Sequence, residues 1–193
     1  MTNNIYAKIK DIYTFNTVLD YLKTIKDKSK ISVWLDFDDN IINVDNDTII
    51  EPEATKKLID YMTKNRIFYC VITGRFHDTS CSDKKRNVFD MQYNIINTMY
   101  PTMRQLGIPV DNFNTDKHKQ TVYKIYNLNK RCVGILYMGI FFSGEKGATI
   151  ENYLRQTGLK LPIKIFVDDY EPYLTEAVRN CPNLIAFRRH YPY

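Results

Sequence analysis

Asp36 and Asp38 stand at alternate positions directly after the apolar run Ile31-Ser32-Val33-Trp34-Leu35, within the segment Asp36-Phe37-Asp38-Asp39-Asn40. Such a run reads as a buried strand that ends in a carboxylate pair. In an open parallel sheet, ligands collect in the crevice beyond the carboxyl ends of the strands. Two carboxylates there can hold a divalent cation, and one of them can attack an electrophile. Taken alone, the pair is equally well an acidic strand cap or turn.

Three later segments sharpen it. The run Ile67-Phe68-Tyr69-Cys70-Val71-Ile72 leads into Thr73-Gly74-Arg75. A hydroxyl and a backbone N–H at a strand end can both donate to an anion, and glycine lets the backbone approach closely. Lys146-Gly147 opens a predicted helix, where an ammonium can neutralise a phosphate and a carboxylate nucleophile. Ile165-Phe166-Val167 then leads into Asp168-Asp169. This second acidic pair completes an oxygen cage of the kind Mg²⁺ takes, with carboxylates, water and phosphate oxygens around a hard ion. Singly, these are a common turn, a solvated lysine and a charged loop.

The elements that must position these groups follow from periodicity. Phe15, Val18, Leu19, Leu22 and Ile25 recur at helical spacing and predict an amphipathic helix over about 14–27. Helices are also predicted over 53–64, with Pro52 at the entry, and over 84–106, interrupted at Pro101 and stopped by Gly107. A further helix is predicted over 147–156, ending at Gly158. Strands are predicted over 31–35, 67–72, 163–167 and 184–187. Continuous rather than alternating apolar runs imply burial on both faces, as in a parallel sheet covered by helices. Residues 121–126 and 132–137, joined by a turn-prone Asn127-Leu128-Asn129-Lys130, read as a β-ribbon. Strands alternating with helices give an α/β fold: a doubly wound, Rossmann-like, mostly parallel sheet with helices on both faces and a small ribbon insertion.

At 193 residues the chain is read as one domain with its own core. No apolar stretch reaches the roughly 20 residues of a membrane span, and the start lacks a secretory apolar segment. An intracellular, cytoplasmic protein is expected. Cys70, Cys81, Cys132 and Cys181 lie at unrelated spacings, so they are read as buried free thiols rather than a zinc site or disulfide framework. The net charge of +5 suits an anionic substrate or a nucleic-acid contact. Lys84-Lys85-Arg86 and Arg188-Arg189-His190 are read as solvated surface, with a nucleic-acid footprint as the alternative. His77, His118 and His190 are scattered and take no site role.

The order of these four motifs, over 31–187, resembles the haloacid dehalogenase (HAD) superfamily of phosphohydrolases. The stretch Gly139-Ile140-Phe141-Phe142-Ser143-Gly144-Glu145-Lys146-Gly147, with Val167-Asp168-Asp169, also looks like a branch of bacterial and viral HAD proteins. The resemblance implies that Asp36 takes the phosphoryl group as an aspartyl phosphate and that Asp38 is first the general acid, then the base that activates water. It implies that Thr73 and the Gly74 N–H bind phosphoryl oxygens and that Lys146 steadies charge around the nucleophile. It further implies that Asp168, the Asp36 side chain and the Asp38 main-chain carbonyl hold Mg²⁺, with Asp169 acting from further out or through water. Asp39 and Asn40 depart from the usual end of the first motif, and no further Asp follows Tyr170-Glu171-Pro172.

Any lid is expected from about 108–142, because 41–52 is too short to hold a large cap. The expected partner is a phosphorylated substrate, and an open site would admit a phosphoprotein or a nucleic-acid end. Two alternatives stand beside a Mg²⁺-dependent phosphatase: a HAD-like binding protein without catalysis, and a nucleotide or nucleic-acid-end phosphatase.

Overall fold

A computed structural model of the chain describes residues 9–75, 81, 93–108 and 122–191. Its centre is one eight-stranded sheet. In chain order the strands are β1 (Ile9–Ile12), β2 (Ile31–Leu35), β5 (Phe68–Thr73), β6 (Tyr123–Tyr126), β7 (Cys132–Tyr137), β8 (Ile140–Phe142), β9 (Ile163–Asp168) and β10 (Leu184–Arg189). A separate two-stranded antiparallel hairpin comprises β3 (Ile42–Asn43) and β4 (Thr48–Ile49). The helices are α1 (Phe15–Thr24), α2 (Pro52–Lys64), α3 (Tyr100–Leu106), α4 (Lys146–Thr157) and α5 (Glu171–Asn180).

The large sheet runs β1-β10-β9-β2-β5-β8-β7-β6, parallel from β1 to β8 and antiparallel beyond. Successive residues of its central strands face opposite layers, as the pleat requires. Val33, Leu35, Val71, Ile165 and Val167 pack with Phe15, Val18 and Leu22 of α1, Leu58 and Met62 of α2, and Met103 of α3. Trp34, Cys70, Ile72 and Phe166 pack on the other face with Ile150 and Tyr153 of α4 and Leu174 and Ala177 of α5. Burial on both faces is why these strands read as unbroken apolar runs. The two helices α4 and α5 approach closely at Gly147, where an added Cβ would lie 2.3 Å from Ala177 Cα.

The expected α/β architecture is present, with several differences of detail. Helix α1 ends at Thr24, capped by Ile25, rather than near 27 and is followed by a single 3₁₀ turn, Lys28–Lys30. The predicted helix at 84–106 is described only from Tyr93. Its interruption is a wide turn, Ile95–Met99, in which the Tyr100 N–H donates to Ile95 O. Pro101 follows at once, and the wide turn absorbs its missing N–H and ring bulk. The ribbon is antiparallel as expected, but β7 pairs with β8, and β8 pairs with β5. From Tyr123 to Phe142 it therefore extends the main sheet and does not form a detached lid; 109–121 lie outside the described residues. Strands β1 and β8 and helix α5 had no counterpart in the sequence reading.

Two side-chain expectations are corrected. Cys81 and Cys132 form a disulfide with a Cα–Cα distance of 5.9 Å, so only Cys70 and Cys181 fit the buried-thiol reading. Arg189 is not solvated: its side chain is fully buried, lies 4.0 Å over the Phe15 ring, and donates to Asn40 O and to Glu51 Oε2 at 2.7 Å. Arg188 is half-buried and paired with Glu171, and His190 meets Asp11. Lys84, Lys85, Arg86, His77 and His118 lie outside the described residues. Among the described residues no helix is long and apolar enough to cross a membrane.

Candidate active site

The chain leaves β2 to form β5 on one side and later returns to form β9 on the other. The crevice between β2 and β9 is thus a topological switch point, the place where open α/β sheets bind ligands. Asp36 follows β2 directly, its N–H donating to Val167 O at 2.9 Å. Asp168 ends β9, and Thr73 ends β5. Every strand-end residue chosen from sequence therefore lies along the same edge.

Lys146 reaches this edge from the first turn of α4. Its ammonium lies 2.5 Å from Asp36 Oδ1 and 2.7 Å from Asp168 Oδ2, with all three side chains buried. The start of α4 is held from two directions. Ser143 and Thr149 hydroxyls both donate to Val133 O, and Glu176 of α5 accepts from Gly147 N at 2.7 Å and Ala148 N at 3.2 Å. The carboxylate at the helix N-terminus satisfies N–H groups that have no partner within the helix.

Asp169 joins Asp36 and Asp168: one carboxylate oxygen from each lies within 4.8 Å of the others. Asp169 is thus part of the same acidic group as Asp36 and Asp168. Asp38 is placed differently. Arg75 takes its carboxylate in a two-point grip, with Nε 2.8 Å from Oδ2 and Nη2 2.5 Å from Oδ1. Thr73 Oγ1 donates to Asp38 Oδ2 at 3.3 Å and accepts from Arg75 N at 3.1 Å. The Asp38 side chain therefore belongs to a second cluster with Thr73 and Arg75, apart from the three carboxylates.

The acidic group is short of positive charge. Burial pushes the Asp36 carboxyl up; Lys146 opposes this and Asp168 adds to it. Burial likewise raises Asp168 against the pull of Lys146. Asp169 is pushed up to about 6, first by burial and then by the Asp36 charge. Burial works against the charge on Lys146, yet Asp36 and Asp168 together hold its pKa above the ordinary lysine range. One lysine does not balance two buried carboxylates and a third that is partly buried, so the site has a residual demand for cationic charge. Three such oxygen donors suit a hard divalent cation, which Asp36, Asp168 and Asp169 could hold.

Asp39 and Asn40 have structural roles. Asp39 has φ 51°, a left-handed conformation that Asp tolerates better than most residues, and its Oδ1 accepts from Val44 N at 3.1 Å. Asn40 is buried; its Nδ2 donates to Val167 O at 2.8 Å, tying the loop after β2 to β9. Arg189 holds the same loop through Asn40 O.

Sequence reasoning quoted Arg75 but gave it no role, and it missed Asn94 and Tyr173. Asn94 Oδ1 accepts from Arg75 Nη1 at 2.8 Å. The Tyr173 ring lies 4.2 Å from Lys146 Nζ. The signal for Arg75 was its place immediately beyond a strand end; Tyr173 had only its closeness to Asp168-Asp169. In comparisons with known proteins, the chain matches no family model, no curated protein and no solved structure.

Proposed function

We propose that this chain is a Mg²⁺-dependent phosphohydrolase of the haloacid dehalogenase type, cleaving a phosphomonoester through a phospho-Asp36 intermediate. The observation that carries the reading is the meeting of Asp36, Asp168 and Asp169 within 4.8 Å at the switch point, with Lys146 paired to two of them.

Asp36 Oδ attacks phosphorus, forming an acyl phosphate as the ester P–O bond breaks. Lys146, already bonded to Asp36 Oδ1, reduces repulsion between the carboxylate and the phosphate dianion. Mg²⁺, which Asp36, Asp168 and Asp169 would hold, would supply further charge neutralisation. Asp38, two residues beyond the nucleophile, enters the step protonated, gives that proton to the departing oxygen and becomes the carboxylate that Arg75 and Thr73 hold. It then takes a proton from the water that attacks phospho-Asp36, which releases phosphate and returns Asp36 as a carboxylate and Asp38 as the acid.

The structural roles of Asp39 and Asn40 speak against reading those departures as loss of catalysis. The test is a screen of aryl phosphates, nucleoside monophosphates, 3′-phosphorylated oligonucleotides and phosphopeptides with Mg²⁺ and a parallel EDTA control. Mg²⁺-dependent phosphate release is expected. Inactivity of the folded protein against the whole panel would favour a binding protein instead.

A further inference from the structure

Tyr173 lies in the first turn of α5, five residues beyond Asp168, and its chemistry is unused in the reaction above. Two contacts fix its position. The face of its ring lies 4.2 Å from Lys146 Nζ, on an ammonium whose other contacts go to Asp36, Asp168 and, at 5.8 Å, the Phe166 ring. A cation seated on a ring face in a dry site is held by the ring quadrupole as well as by its ion pairs.

The second contact is with the strand on the far side of the crevice. A methyl group added at Gly74 would lie 2.5 Å from the Tyr173 hydroxyl oxygen and 3.1 Å from ring atoms Cε2 and Cζ. The hydroxyl is therefore lodged against Gly74, and the absence of a side chain at Gly74 makes the room. One tyrosine thus spans from the lysine beside the nucleophile to the Thr73-Gly74 turn. The ring of Tyr170 packs edge-on against it at 5.1 Å, and Tyr170 N donates to Asp168 Oδ1, tying this turn to the acidic group.

We infer that Tyr173 is a substrate-positioning residue of this site, its ring restraining Lys146 and its hydroxyl donating to a phosphoryl oxygen beside Gly74. The inference rests on the phosphohydrolase reading. A phosphoryl group attacked by Asp36 must lie beside Lys146 and the Thr73-Gly74 turn, and the Tyr173 hydroxyl borders that space. Burial raises the Tyr173 pKa above the ordinary phenol value, so the hydroxyl stays a neutral donor across physiological pH. It offers a hydrogen bond to an anion without adding charge to the acidic group.

The test separates the hydroxyl from the ring. Tyr173→Phe keeps the ring over Lys146 and removes only the donor; Tyr173→Leu removes both. Inorganic phosphate affinity is measured by calorimetry with Mg²⁺ present, alongside KM and kcat for an aryl phosphate and the thermal midpoint. For Tyr173→Phe, phosphate binding is expected to weaken roughly tenfold and KM to rise in parallel, the loss of one hydrogen bond to an anion. The thermal midpoint should stay unchanged. Tyr173→Leu should lower kcat as well. Hydrolysis by both proteins with unchanged phosphate affinity in Tyr173→Phe overturns the tyrosine assignment alone. Phosphate binding without hydrolysis, weakened in Tyr173→Phe, keeps the assignment and removes the enzymatic reading. Failure of the unaltered protein to bind phosphate overturns both.

Discussion

Arg75 grips both carboxylate oxygens of Asp38, while its remaining terminal nitrogen donates to Asn94 Oδ1 at 2.8 Å. The guanidinium also lies 5.4 Å over the Phe37 ring, so the residue between the two motif aspartates supports the grip. Asp36 and Asp38 are separated by a single residue yet serve different clusters. One faces Lys146, Asp168 and Asp169; the other is turned to Thr73 and Arg75. In the proposed reaction the first cluster accepts the phosphoryl group, and the second handles the proton.

That division makes Arg75 a positioning residue for Asp38. Arg75→Lys replaces a planar fork by a single point charge and is not conservative here. Turnover of an alkyl phosphate, whose leaving oxygen needs a proton, should fall by about 10²-fold, within the range of general acid catalysis. A nitrophenyl phosphate, which needs little protonation, should be affected far less. Because the pair is partly exposed, stability should change by no more than about 1 kcal/mol. Rates for the two substrates, compared in one preparation, check this.

Lys146 is a different case, since its partners are buried. Lys146→Met leaves Asp36 and Asp168 without a counter-ion, and breaking a buried pair from one side costs about 3–5 kcal/mol. Urea unfolding should show that loss in EDTA. Saturating Mg²⁺ should recover part of it, since a ligand bound only by the folded state adds stability.

The acidic group gives the metal-free protein a pH dependence of definite sign. Asp169 holds its proton up to about 6 when folded, against an ordinary value of 3.8. The folded state therefore binds more protons than the unfolded state in that window, and stability falls as pH rises from about 4 to about 6. Asp169→Asn removes this contribution. It should stabilise the metal-free protein at pH 7 by about 1 kcal/mol, a figure discounted because the side chain is only partly buried. Mg²⁺ affinity should run the other way and strengthen with rising pH, because the ligands must be deprotonated. Unfolding midpoints at a series of pH values, with EDTA and with Mg²⁺, measure both slopes.

Gly147 tests the framework behind the lysine. A methyl there meets Ala177 Cα at 2.3 Å and Ala177 O at 2.8 Å, both backbone atoms that cannot swing away. Gly147→Ala should force α4 from α5 and cost about 1–3 kcal/mol, the usual range for overpacking. Denaturant unfolding and Lys146-dependent turnover should both suffer.

Much of this site was legible in the chain because its residues end long apolar runs. Asp36, Thr73 and Asp168 terminate β2, β5 and β9 or follow them directly, and a strand buried on both faces announces itself. Lys146 was legible from Gly147 and the apolar spacing beyond it. The separation of Asp38 from the acidic group was not, because it depends on Arg75, whose other end is held by Asn94, far along the chain. Arg189 looked like part of a charged tail; its burial arises only when β10 pairs with β1 and brings it under Phe15 and Asn40. Strand β1 carries Lys10 and Asp11 in a four-residue edge and has no apolar signature. The Cys81–Cys132 bond joins distant segments, and spacing carries no trace of it.

The central claim is that Asp36 is the attacking group beside a cation. Asp36→Asn removes the nucleophile while keeping its size, and it lowers rather than raises the charge buried in the site. The most direct measurement is Mg²⁺-dependent aryl phosphate hydrolysis by the unaltered protein and by Asp36→Asn at matched folded concentration. The account predicts turnover in the first, abolished by EDTA, and none above background in the second. Equal turnover in the two proteins would contradict it.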